Sequence, residues 1–209
     1  MSCIERLHGQ YIYTRRVRVL CDHFVGLIPR HSCLLDVGCG DGLLGRLIME
    51  RLPGVELKGL DTLVRRQTHI PVEGFDGQVI PYQDDSFDLA MLVDVLHHTE
   101  APMRLLGEAA RVAREAILIK DHISQGILDA LTLRVMDWTG NARHGVPLPY
   151  TYWSKQRWLE AFDKLGLTIN VWTQDLGLYP GAINWIVGRS LHFVTMLNVS
   201  TQRRRNPVP

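Results

Sequence analysis

The sequence predicts an α/β fold: a single open, doubly wound sheet, mostly parallel, with helices on both faces. Two observations predict it. Short apolar runs of strand length alternate with helix-length stretches from Cys33 to His122, an order that forces crossover connections and buries both faces of the sheet. The first of these runs feeds directly into a glycine-rich turn, Gly38-Cys39-Gly40-Asp41-Gly42, the join expected where a strand passes to a helix beside a ligand. A length of 209 residues fits one such domain.

Each element has its own local reason. Apolar residues at Leu7, Tyr11, Val17, Leu20, Phe24 and Leu27 give an opening helix that Pro29 ends. Cys33 to Val37 is a buried strand, Leu43 to Leu52 a helix closed by Pro53-Gly54, and Val55 to Leu60 a second strand ending at Asp61. A weaker third strand falls in Gln67 to Glu73, and Phe87 to Val93 is a continuous apolar fourth. Pro102 opens a helix that runs to Arg114, and Ala116 to Lys120 is a fifth strand closing on Asp121-His122. Beyond it, Ile123 to Trp138 reads as helix, Thr139 to Ser154 as a loop rich in Gly, Pro and aromatics, and Ser154 as the N-cap of a helix to Leu165. Thr168 to Thr173 and Leu191 to Leu197 are two late strands.

Composition narrows the function. The chain is 46% hydrophobic and 22% charged, which excludes a disordered or fibrous protein. Its 23 Lys+Arg against 22 Asp+Glu leave a formal net charge of +1, so no global field favours a nucleic-acid partner. Arg203-Arg204-Arg205 reads as a solvated tail. Cys3, Cys21, Cys33 and Cys39 form no Cys-x-x-Cys and no zinc-like spacing with histidine, so no metal is expected. Without an apolar signal region or a stretch of some 18 apolar residues, the expectation is a cytoplasmic, reduced chain with no membrane span.

The glycine turn admits two ligand classes. Gly40-Asp41-Gly42-Leu43-Leu44-Gly45 fits the dinucleotide frame, which puts a pyrophosphate on a helix N-terminus. Asp36 and Asp41 argue the other way, because carboxylates repel phosphate and attract the sulfonium and amino groups of S-adenosylmethionine. Asp61, 19 residues past Gly42, suits a ribose diol in either class.

A third stretch separates them. Asp76-Gly77-Gln78-Val79-Ile80-Pro81-Tyr82-Gln83-Asp84-Asp85-Ser86-Phe87-Asp88, with Val93-Asp94-Val95-Leu96-His97-His98, resembles the class I S-adenosylmethionine-dependent methyltransferases of the small-molecule type. The likeness covers roughly residues 30 to 122. It implies a Rossmann-like sheet of seven strands whose last, near Leu191 to Leu197, is antiparallel. It also implies a single domain: a helical lid over 1–30, a cofactor-binding half over 31–122, a substrate-side half over 123–200 and a tail over 201–209. By the same resemblance, Gly38 and Gly40 line the methionine moiety with Asp36 near its amino group, and Asp61 holds the ribose. Thr62, Asp76 and Gly77 meet the adenine, while backbone at Val93 and Asp94 closes over the amino-acid end.

Methyl transfer needs alignment, and a base only where the acceptor loses a proton. His98 after the fourth strand, His122 after the fifth and His144 in the aromatic loop are the candidates, with His97 or His98 structural. The expected reaction is methylation, at oxygen, of an apolar or aromatic small molecule. An NAD(P)-binding oxidoreductase and a non-catalytic module of the same fold are the alternatives.

Overall fold

A computed structural model describes residues 3–141, 148–179, 181 and 190–199. The elements run α1 (Cys3–Val25), β1 (Cys33–Val37), α2 (Leu43–Arg51), β2 (Glu56–Asp61), β3 (Val72–Gly74), β4 (Phe87–Val93), a 3-10 turn (Leu96–His98), α3 (Pro102–Val112), β5 (Ala113–His122), α4 (Ile127–Asn141), α5 (Lys155–Lys164), β6 (Leu167–Thr173) and β7 (His192–Val199). The seven strands form one sheet in the order β3-β2-β1-β4-β5-β7-β6. The pairs from β3 to β5 are parallel, and β7 runs antiparallel to both β5 and β6. The expected doubly wound fold with one antiparallel strand is therefore the observed one.

Both faces of the sheet are buried, as the uninterrupted apolar strands require. Leu35, Val37, Leu92, Ile117 and Ile119 pack with Leu105, Leu106 and Ala109 of α3 and Trp158 and Phe162 of α5. The alternate residues Leu34, Leu89, Met91 and Leu118 pack with Phe24 of α1 and Ile48 of α2. Strand order reverses at β1, between β2 and β4. In open α/β sheets the crevice outside the strand C-termini at such a point is where ligands bind.

Local signals mark most boundaries well. Ser154 caps α5 by accepting from the Arg157 N–H. The third strand is shorter and later than the sequence predicts, three residues from Val72, because Pro71 has no N–H to give a ladder. The helix expected from Ile123 begins at Ile127, since the backbone of Ile123 and Ser124 bonds Leu191 and Trp153 instead.

Candidate active site

The turn after β1 is held from below by β2. Leu60 O accepts from the N–H groups of Gly38 (2.7 Å) and Cys39 (3.1 Å), while Asp61 Oδ2 accepts from Gly40 N–H at 2.7 Å and Oδ1 from Leu63 N–H at 2.8 Å. Gly38, Gly40 and Gly42 all have positive φ, between 62° and 75°, a region in which a Cβ is strained. What lies around each glycine differs. A Cβ on Gly38 would come within 2.5 Å of Val95, and one on Gly42 within 2.3 Å of Ile70. A Cβ on Gly40 would meet only the tip of Arg65, at 3.7 Å. Gly38 and Gly42 thus let protein pack against protein, while the space over Gly40 is nearly open. Gly45 packs α2 onto Leu57 of β2, so its place in the dinucleotide frame has a purely structural explanation.

The remaining cofactor candidates lie on β1 and on the loops after β2 and β3. Asp36 is buried in β1; burial, reinforced by Asp61, raises its carboxyl to about 8. Thr62 approaches Gly77, its methyl 3.0 Å from where a Cβ would stand. Asp76 is exposed and caps its own loop, Oδ1 accepting from the Gln78 and Val79 N–H groups at 2.8 Å, which lowers its pKa. From α1, the Tyr13 hydroxyl reaches Asp41 at 3.4 Å and Arg16 pairs with Asp94 at 3.0 Å.

Beside the turn, at the C-terminal ends of β4 and β5, lies a buried polar cluster. Asp94, with a φ of 57°, aims its carboxylate at Arg16 and at the ammonium of the fully buried Lys120. Burial opposes its charge, but Lys120 and Arg16 outweigh that and hold its pKa well below the usual carboxylate range. Lys120 Nζ also lies 3.3 Å from His192 Nδ1. Asp121, fully buried, accepts from the N–H groups of Leu96 (3.0 Å) and His122 (2.7 Å) and from His97 Nδ1 at 2.6 Å. Burial would drive the proton off His97, yet Asp121 and Asp137 together overcome it and lift the His97 pKa to about 10. Tyr152 donates its hydroxyl to Asp137.

His122 stands in the middle of this cluster, 3% exposed, its Nδ1 3.2 Å from His97 Nδ1 and its Nε2 3.7 Å from Asp94 Oδ1. Burial first, then Lys120 and His97, keep its pKa well below 6.5, so the imidazole is neutral. His98 is half-buried, and burial and His97 lower its pKa too. His144 lies outside the described residues. Asp121 orients His97 more directly than its neighbour His122: it is 3.6 Å from the His122 ring against 2.6 Å from that of His97. In the aromatic loop, Trp153 is buried against Trp158 and belongs to the core, whereas Tyr152 faces His97 and His122.

Arg16, Asp137 and His192 were not legible as site residues. Lys120 left a signal, a cation ending an apolar strand, where a buried charge needs a partner.

A family model described as a methyltransferase domain matches residues 10–171. The chain belongs to that family. It carries an S-adenosylmethionine-dependent methyltransferase domain, and the nicotinamide alternative falls. Over 106 residues the chain is 34% identical to the bifunctional methionine biosynthesis protein MetXA/MetW of Rhodopirellula baltica, covering 44% of the chain but only 17% of that relative's length. Solved structures share the fold at low identity. The putative methyltransferase bound to the Trm112 activator of Haloferax volcanii has a TM-score of 0.66 at 17% identity, with 92% of this chain and 93% of that one covered. A geranyl diphosphate methyltransferase in complex with GPP and sinefungin has a TM-score of 0.63 at 13% identity, covering 90% and 77%. Among the described residues no helix is long and apolar enough to cross a membrane.

Proposed function

We propose that this methyltransferase methylates a hydroxyl of an apolar or aromatic small molecule, with His122 receiving the acceptor's proton. The observation that carries the reading is a neutral, buried imidazole at the C-terminal end of β5, set between Asp94 and His97. A neutral imidazole can take a proton; an imidazolium, as at His97, cannot. His98 and His144 are the other bases weighed, and a ring nitrogen of His98 lies within 4.8 Å of an Asp137 carboxylate oxygen. Tyr152 and Tyr179 supply apolar faces beside His122 and His192.

S-adenosylmethionine, when bound, supplies the methyl group. In this reading the open backbone at Gly40, with Gly38, receives its methionine end, and Asp36 faces the amino group. Asp61 holds the ribose, Thr62, Asp76 and Gly77 the adenine, and Val93 and Asp94 close the amino-acid side. Tyr13 and Arg16 make α1 the lid that excludes water from the crevice. The net charge of +1 supports a small molecule over nucleic acid as the acceptor.

Calorimetry with S-adenosylmethionine and its demethylated product tests the donor site, and transfer of label from the donor into a metabolite extract tests the acceptor class. Asp61→Ala should weaken donor affinity by about 1.5–3 kcal/mol, the worth of charged hydrogen bonds. An unchanged affinity would remove Asp61 from the ribose. Asp36 offers a pH test. Its carboxyl is protonated below about 8 in the free protein, and an ammonium placed beside it favours the carboxylate. Donor binding at neutral pH should therefore release a proton, read from binding heats in buffers of different ionisation enthalpy, and Asp36→Asn should abolish the release.

A further inference from the structure

We infer that His97, His98 and Asp137 form a binding site for a divalent transition-metal cation. One ligand atom from each lies within 4.8 Å of the other two. His97 Nε2 and Asp137 Oδ2 are 3.5 Å apart, close to the separation of two donors on one ion at metal–ligand distances of about 2.0–2.2 Å.

The strongest observation is the state of His97. Its ring is 1% exposed, and Nε2 is buried without a hydrogen-bond partner. Its other nitrogen is committed to Asp121, 2.6 Å away, and Asp121 is pinned by two backbone N–H groups. A carboxylate on one imidazole nitrogen leaves the other facing outward, the arrangement that orients and strengthens metal-bound histidines, and an ion that binds there displaces the Nε2 proton of the imidazolium. His98 is the one of the three that is not fully buried, which gives an ion a path from solvent.

A second trio of donors, Asp94, His97 and His122, is as compact but does not suit a cation. Asp94 is already paired with Arg16 and Lys120, and a further cation there would face both. Two imidazoles and one carboxylate suit Zn²⁺, Fe²⁺ or Co²⁺ over Mg²⁺ or Ca²⁺, which want oxygen alone. The three ligands come from the turn after β4 and from α4, 39 residues apart at His98 and Asp137, so no ligand spacing was visible along the chain, where no metal was expected.

The test uses the untagged full chain, stripped with a chelator and titrated with Co²⁺. One equivalent should bind with visible d–d bands and be displaced by Zn²⁺. His98→Gln and Asp137→Asn, each checked for a native melting transition, should lose the bands, and Asp121→Asn should weaken binding roughly 10–100-fold. No stoichiometric uptake, or uptake that survives in His98→Gln, overturns the site and leaves His97 as a proton carrier between two carboxylates. If Asp137→Asn does not fold, His98→Gln decides alone. The readout is metal content and absorption, so its failure and the failure of the methyl-transfer reading are separate results.

Discussion

Asp121→Ala should destabilise the protein by about 3–5 kcal/mol, the range found when one partner of a buried ion pair is removed. The loss is large because one carboxylate serves three buried donors. Without it, the one carboxylate left to His97 is Asp137, at the longer distance of 3.5 Å, and the N–H groups of Leu96 and His122 lose their acceptor. Asp121→Asn keeps an acceptor oxygen and should cost less. The effect has a pH signature in the metal-free protein. Burial opposes the Asp121 charge, but His97 and the His122 N–H overcome it and hold the carboxyl well below its ordinary value. A depressed carboxyl contributes stability that is fully present above the unfolded value of about 4 and is lost as pH falls through the folded one. The stability gap between wild type and Asp121→Ala should therefore be widest near neutrality and narrow in acid. Urea unfolding at several pH values measures it. A gap that is flat from pH 7 to pH 3 would mean that the pairing does not stabilise the fold.

His122→Gln should lower kcat by roughly 10²–10⁴-fold, the usual contribution of a positioned general base, with little change in donor affinity. Glutamine keeps hydrogen-bonding capacity at the position and cannot accept the proton. Single-turnover transfer to the acceptor found in the label screen is the measurement, paired with donor calorimetry. A variant with full kcat would show that the acceptor needs no base here, as a thiolate or an amine already carrying a lone pair would not. A variant that loses donor affinity in parallel would place His122 in the cofactor site.

The role of each histidine shows why residue type alone could not assign them. His97, His98 and His122 have the same ordinary titration range in isolation. In the fold, two carboxylates raise His97 to about 10, while burial beside Lys120 and His97 drives His122 the other way. The opposite shifts arise within 3.2 Å of one another. Opposed environments of this kind are what divides acid from base among like residues.

What the chain's local pattern determined was the scaffold: the apolar runs of β1, β4 and β5, the glycine turn, the Ser154 cap and the acidic residue ending β2. These depend on neighbours a few positions away, through burial period, backbone sterics and turn chemistry. Which glycine has open space above it, and which charges meet, was decided by tertiary structure. Register sets His192 opposite His122 and Lys120 opposite Val93, next to Asp94, while α1 and α4 carry in Arg16 and Asp137. Electrostatics inside a protein follow distance through a low-dielectric interior, and separation along the chain says little about that distance.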